Sequence, residues 1–238
     1  MNNRLFAISD IHGNYDEMMA LYEQLPINPK KDQLIVLGDF IDRGPDTKKV
    51  VEQLMKWKKK YPHWQILYGN HEDLMLDALM YGGRIYDSYY LWYSQGGRET
   101  FYSYIPENLT EYEKQIIQVK DAIPQEHLEW IAGLPRFYQT EDYIFVHGGL
   151  KPGKTVEETE TQDILWIRDE FIDSDYDWSK KVIFGHTPDF ENLGMPIVMD
   201  NKIGIDGAIG APGFKNLIGL ELPSEKFYFE KHHSNLEL

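Results

Sequence analysis

The sequence predicts an α/β fold, and three observations carry that expectation. Short apolar runs rich in Ile, Val, Leu, Phe and Tyr alternate with stretches of helical periodicity. The early runs are apolar throughout, as in strands buried on both faces. The last runs sit close together between Gly, Pro and Ser turns, a spacing that suggests antiparallel hairpins and a second sheet packed on the first.

The first predicted strand is 5–9, and the helix 15–25 follows it, with Met18, Leu21, Tyr22 and Leu25 on one face and acids opposite. The second strand is 34–38. The helix 46–60 comes next, with Val50, Val51, Leu54 and Met55 inward and Asp46 as its expected N-cap. Its last turns hold Lys56, Lys58, Lys59 and Lys60, where cations complement the helix dipole, and this cluster is not read as a nucleic-acid site. The third strand is 65–68. Residues 81–136 then break the alternation with Tyr86, Tyr89, Tyr90, Trp92, Tyr93, Phe101, Tyr102 and Tyr104, followed by the capping-box pattern Thr110-Glu111-Tyr112-Glu113. This stretch is expected to be a helical insertion over one end of the sheet. Such rings at helical spacing are more often core than ligand platform. Strands resume at 143–147 and 182–185, and after 197–199 the closely spaced runs are 202–206, 217–222 and 227–230. With no repeat, low-complexity tract or linker-like segment, one domain over 1–238 with an insertion at about 81–136 is the expected organisation.

The chemistry gathers at the strand ends. The five strands named first run into Asp10-Ile11-His12, Gly38-Asp39-Phe40-Ile41-Asp42-Arg43-Gly44, Gly69-Asn70-His71-Glu72, His147-Gly148-Gly149 and Gly185-His186-Thr187. Ligands bind at the carboxyl ends of strands in α/β sheets, so these groups are expected to converge. The chain has no cysteine, which removes thiolate sites, disulfides and cysteine nucleophiles. Carboxylate, imidazole and amide oxygen suit Mn²⁺, Fe²⁺ or Zn²⁺, and there are enough of them for two ions. Any one of these short signals alone is more often a cap or a turn than a ligand; five in order are not. His63 and His127 lie off this pattern and are expected at the surface, and His232-His233 in a frayed tail.

Together the five elements resemble the phosphoprotein phosphatase family of the calcineurin-like metallophosphoesterases, bacterial type. That family's pattern is Asp-x-His, Gly-Asp-x-x-Asp-Arg-Gly, Gly-Asn-His-Glu, His-Gly-Gly and Gly-His, and all five stand here between Asp10 and His186. The resemblance implies a four-layer α/β-β/α sandwich of two mixed sheets flanked by helices, with a helical cap. It implies two divalent ions, Mn first, with Fe or Zn as alternatives. Asp10, His12 and Asp39 would hold one ion; Asp39 would bridge to another on Asn70, His147 and His186. His71 would be the general acid, oriented by Asp42, and Arg43, Asn70 and Arg168 would bind the phosphoryl group. For Arg168 the competing reading is a surface pair with Asp169 or Glu170.

The implied reaction is in-line attack on phosphorus by a hydroxide bridging the ions, with phosphoserine or phosphothreonine in proteins as leading substrates. Glu72 tilts toward protein phosphatases, because dinucleotide hydrolases of the family usually carry Asp there. The alternatives are hydrolysis of diadenosine tetraphosphate or related dinucleoside polyphosphates, removal of a nucleotide cap from RNA, and a non-catalytic module of the same fold. Tyr68 stands where eukaryotic relatives have arginine, and 205–210 lacks their tyrosine-bearing loop; both point to small bacterial-type members. Residues 95–104 resemble an element of those proteins. The net charge of −15 disfavours DNA and anionic membranes as partners, and RNA as a substrate. Two ions and Arg43 would invert that field at the site, so a phosphorylated protein or small phosphate ester remains the expected partner. The opening residues carry no signal-peptide core, and a cytoplasmic location is expected.

Overall fold

Side-chain alternation along the buried strands sorts their residues into different cores. The computed structural model describes residues 4–80, 88–106, 109, 119–211, 213 and 216–231. One sheet contains β1 (Leu5–Ile8), β2 (Gln33–Val36) and β3 (Gln65–Ile66), mutually parallel. The other contains β4 (Phe137–Gln139), β5 (Tyr143–Val146), β6 (Lys181–Phe184), β7 (Ile197–Val198) and β8 (Lys202–Gly204). The hairpin of β9 (Asn216–Leu222) and β10 (Lys226–Lys231) completes the first sheet, whose order is β10-β9-β1-β2-β3; the second runs β4-β5-β6-β8-β7. Both sheets are mixed, with antiparallel additions on a parallel centre.

Ala7 and Ile35 of the first sheet face Phe145, Ile183 and Ile203 of the second, forming a core between the sheets. Their strand neighbours Phe6, Ile8, Leu34 and Val36 face an outer helical layer. This layer includes α1 (Tyr15–Gln24), α2 (Thr47–Lys60) and α3 (Asn70–Leu79). Between β3 and β4 the described helices are α4 (Ser88–Trp92), a π-turn over Tyr93–Gly97, α5 (Arg98–Tyr104), α6 (Val119–Ala122) and α7 (Gln125–Ala132). On the second sheet, Ile144, Val146, Val182 and Phe184 meet Ile164 of α8 (Thr161–Trp166) and Phe171 of α9 (Asp169–Ile172). The result is two mixed sheets face to face, flanked by helices. Among the described residues no helix is long and apolar enough to cross a membrane.

The structure corrects several expectations. The closely spaced last runs do not form a sheet of their own: β7 and β8 join β5 and β6, while β9 pairs with β1 in the register Leu5↔Leu222 and Ala7↔Leu220. This pairing puts Ile218, Leu220 and Leu222 into the core between the sheets. β4 was not predicted; it is a short, partly exposed edge strand. Asp46 occupies the N-cap position of α2, but its carboxylate pairs with Lys49 at 2.7 Å and makes no capping bond. His127 is buried, not at the surface, with its Nδ1 2.9 Å from the Tyr104 hydroxyl. Tyr86, the pattern at 110–113 and His232-His233 lie outside the described residues.

Candidate active site

The strands end where the chain must turn sharply, and side chains that bear chemistry sit on those turns. Asp10, His12, Asp39, Asp42, Arg43 and His186 all have left-handed backbone, with φ of 52°, 46°, 49°, 68°, 66° and 64°. Such conformations are unfavourable for non-glycine residues and persist where surrounding structure imposes them. The carboxyl ends of β1 and β2 from one sheet meet those of β5 and β6 from the other. Gly185 makes this approach possible: a Cβ there would lie 2.0 Å from Ser9 Oγ and 2.2 Å from Asp10 Oδ2. Asp10, Asp39, Arg43, Asn70, His71 and Arg168 line one cavity of about 240 Å³, together with His186.

Asp39 is the centre of the cluster. Its Oδ1 accepts the His71 backbone N–H at 3.0 Å and lies 3.3 Å from His147 Nε2; its Oδ2 lies 3.8 Å from Nε2 of both His12 and His71. Two groups of potential metal ligands share it, His12–Asp39–His71 and Asp39–His147–His186, with donor atoms within 4.8 Å of one another. Asn70 Oδ1 is 2.7 Å from His147 Nε2. Asp10 stands beside the second group, accepting the His186 backbone N–H at 3.1 and 3.3 Å. Thus all ten residues singled out from the sequence converge. The first donor group contains His71 where Asp10 was expected.

Tautomers follow from the carbonyl contacts, because a carbonyl only accepts. His12 Nδ1 lies 2.9 Å from the Ile41 carbonyl and His147 Nδ1 2.9 Å from that of Leu37, so both Nδ1 atoms carry hydrogen and Nε2 faces the cluster. Burial, then the charges of Arg43 and His71, hold the His12 pKa well below the usual range. Burial and His147 do the same to His186. Burial also opposes a charge on His147, but Asp39 and Asp10 outweigh it and raise its pKa to about 9. Burial opposes ionisation of Asp39, yet His147 and His71 hold its carboxyl well below the usual value. His186 Nε2 is buried with no hydrogen-bond partner. An orphaned buried imidazole nitrogen, beside a carboxylate shared by two groups of histidines, fits divalent cations, and the sulfur-free donors suit Mn²⁺, Fe²⁺ or Zn²⁺.

The remaining residues flank these donors. Arg43 donates to His12 Nε2 at 2.8 Å and to His71 Nε2 at 3.0 Å. His71 Nδ1 lies 2.8 Å from Asp42 Oδ2; burial opposes a charge on His71, but Asp39 and then Asp42 outweigh it and raise its pKa. Arg168 reaches the cavity, its Nη1 donating to Thr187 at 3.3 Å; Glu170, its proposed surface partner, binds Lys151 at 2.6 Å instead. Glu72 does not face the cavity. Its buried carboxylate accepts the backbone N–H groups of Gly69, Asp39 and Phe40 at 2.7, 2.9 and 3.0 Å, bracing the loop that carries Asp39.

Sequence reasoning missed Asp206, Trp92 and Thr100. Asp206 is buried in the cavity wall, and burial followed by Asp10 pushes its carboxyl well above the usual value. It follows β8 as Asp10 follows β1, so the strand-end signal that found the others was present. Trp92 and Thr100 bind Asp42 and gave no short-range signal.

The calcineurin-like phosphoesterase model matches residues 4–214. The symmetrical bis(5'-nucleosyl)-tetraphosphatase of Buchnera aphidicola subsp. Acyrthosiphon pisum (strain 5A) is 46% identical over 67 residues, which is 28% of this chain and 23% of that protein. The chain therefore matches about a quarter of that relative's length. Serine/threonine-protein phosphatase 1 of Salmonella typhimurium is 27% identical over 205 residues, covering 79% of this chain and 83% of that protein. A crystal structure, named only as that of a candidate diadenosine tetraphosphatase, superposes with a TM-score of 0.66 at 16% identity, covering 98% of this chain and 95% of that one. That likeness establishes the shared fold. Since the family model spans most of the chain, this protein belongs to the calcineurin-like phosphoesterase family.

Proposed function

We propose that the chain is a two-metal hydrolase of dinucleoside polyphosphates, acting on the phosphate chain inside the Asp10–His186 cavity. The observation that carries this reading is the composition of the walls. Arg43 and Arg168 offer guanidinium forks to phosphate, while half-buried Trp166 and exposed Phe190 offer rings on which a base can stack. The tetraphosphatase relatives support it. Glu72 no longer speaks for a protein substrate, because its side chain braces backbone and does not line the cavity.

In this reading Asp10, His12 and Asp39 would hold one divalent ion, and Asp39, Asn70, His147 and His186 would hold the second, with Mn²⁺ the ion we favour. Bound there, the ions supply an activated water and offset charge developing at phosphorus. Arg43 rests on His12 Nε2 and His71 Nε2; with His12 engaged as a metal ligand, its guanidinium would be available to the phosphoryl oxygens beside Arg168 and the Asn70 amide, and His71 Nε2 would be free to carry a proton. Asp42 keeps the His71 Nδ1 protonated, so the proton delivered to the departing oxygen comes from Nε2.

A second reading, a serine/threonine phosphoprotein phosphatase, is favoured by that same buried dyad. An alkoxide leaving group needs a proton far more than the phosphate oxygen of a nucleotide does. The Salmonella relative, aligned over 79% of the chain, supports it. The deciding measurement is kcat/KM on diadenosine tetraphosphate and on a phosphoserine peptide at one Mn²⁺ concentration. We expect a preference for the dinucleotide of about tenfold or more, the scale of 1.4 kcal/mol of added contact to rings and the second arginine. The opposite preference establishes the second reading.

A further inference from the structure

We propose that Trp92 and Thr100, from the helical segment between β3 and β4, are positioning residues for His71, acting through Asp42. The proposal rests on the reading of His71 as the general acid. Asp42 is completely buried, where an unpartnered carboxylate is costly. Its Oδ2 takes His71 Nδ1 at 2.8 Å and Trp92 Nε1 at 3.1 Å; its Oδ1 takes the Thr100 hydroxyl at 2.6 Å and Trp92 Nε1 at 3.1 Å.

Donor accounting leaves a single arrangement. The Thr100 hydroxyl has one hydrogen, and a carboxylate cannot donate, so that hydrogen lies on Asp42 Oδ1. The Thr100 oxygen in turn accepts the Asp42 backbone N–H at 2.9 Å. Thr47 Oγ1, 3.1 Å away, must then donate to Thr100. The carboxylate is gripped at both oxygens, and its own backbone is bound to the same hydroxyl. Asp42 Oδ2 cannot turn away from Nδ1, so Nε2 is the His71 nitrogen left to face the cavity.

Both donors are themselves fully buried and held from behind. Gly97 lies against the Trp92 indole, where a Cβ would come 2.4 Å from Cε2. Gly96, at φ +111°, accepts the Arg43 backbone N–H at 3.1 Å. One turn of the insertion therefore fixes Asp42 and Arg43, two neighbours with different tasks. The segment expected to cap the site acts here as a brace beneath it.

The test uses near-isosteric variants, Trp92→Phe and Thr100→Val, with Thr100→Ser as the conservative partner, in protein supplied with Mn²⁺. A general acid matters for a poor leaving group and little for a good one. On phenyl phosphate, kcat is expected to fall about tenfold or more in Trp92→Phe and Thr100→Val, a part of what a general acid supplies, with KM nearly unchanged. On 2,4-dinitrophenyl phosphate the loss is expected to be smaller, and Thr100→Ser restores the phenyl phosphate rate. A second readout needs no turnover and is taken on the metal-free protein, away from paramagnetic Mn²⁺: the low-field ¹H–¹⁵N signal of His71 Nδ1–H should broaden or vanish in the two variants and return in Thr100→Ser.

His71→Asn separates the layers. If it loses no more on the phenyl ester than on the dinitrophenyl ester, the general-acid reading falls, and the Nδ1 signal still decides whether Asp42 is being held. If His71→Asn shows the leaving-group effect while Trp92→Phe and Thr100→Val lose rate equally on both esters and keep the signal, the positioning proposal is overturned.

Discussion

His147 shows how a single residue ties the site's proton chemistry to its metal chemistry. Alone in a dry interior its imidazole would stay neutral, yet Asp39 and Asp10 raise its pKa to about 9. The proton on Nε2 faces Asn70 Oδ1 at 2.7 Å and Asp39 Oδ1 at 3.3 Å, so positive charge is demanded at one point by several acceptors. A divalent cation meets the same demand and must displace that proton. The folded-state pKa is raised, so the protonated form prevails below about 9 in the metal-free protein, and lowering the pH opposes binding. Mn²⁺ affinity is therefore expected to rise by about tenfold per pH unit for one displaced proton, levelling off as His147 loses it unaided. Calorimetric titrations at about pH 6.5, 7.5 and 8.5, in buffers of differing ionisation enthalpy, count the proton directly. An affinity independent of pH, with no proton released, would remove His147 from the ligand set.

At the scale of elements, the site is a seam between strand ends of two sheets. Gly185 closes β6, Ser9 and Asp10 close β1, and no side chain fits between them. Gly185→Ala must push the two ends apart, moving Asp10 away from the His186 backbone that it now accepts from. We expect Mn²⁺ affinity to fall at least about tenfold while stability drops by only about 1–3 kcal/mol, the usual cost of overpacking. Metal titration beside denaturant unfolding gives both numbers, and unchanged affinity in a destabilised variant would detach the seam from metal binding. The strand ends were legible in the sequence because an apolar run followed by Asp, His or Asn with glycine is a local signal; Asp39, Asn70 and His147 all announced themselves this way. Sheet membership was not legible. β1 pairs Leu5 with Leu222, and nothing near either residue encodes that partner. The same holds for Trp92 and Thr100, which lie 50 and 58 residues from Asp42. Ring periodicity identified Trp92 as core, and it is, but its N–H has a second task that periodicity does not register.

For the whole molecule, the core between the sheets decides how the chain unfolds. Ala7 and Ile35 come from its start, Phe145 and Ile183 from its middle, Ile218 and Leu220 from its end. β9 returns past the entire second sheet to pair with β1, so the first sheet is incomplete without the far end of the chain and the second is enclosed between its parts, and we propose that the protein is one folding unit. Far-UV circular dichroism and tryptophan fluorescence test this together. Trp57 and Trp64 lie in the outer core of the first sheet and Trp178 in that of the second, so a sheet that melted separately would move one probe before the other. Coincident midpoints are expected. The net charge of −15 adds a second consequence, because several of those acids are gathered at the seam and repel one another in the folded state alone. Ions bound only by the native seam must therefore raise the single midpoint for the entire chain. At a hundred times its dissociation constant one such ion adds about 2.7 kcal/mol, which for a chain of this size corresponds to roughly 5–10 °C. If Mn²⁺ shifted only one of two resolved transitions, the sheets would be independent units and the seam a contact between them.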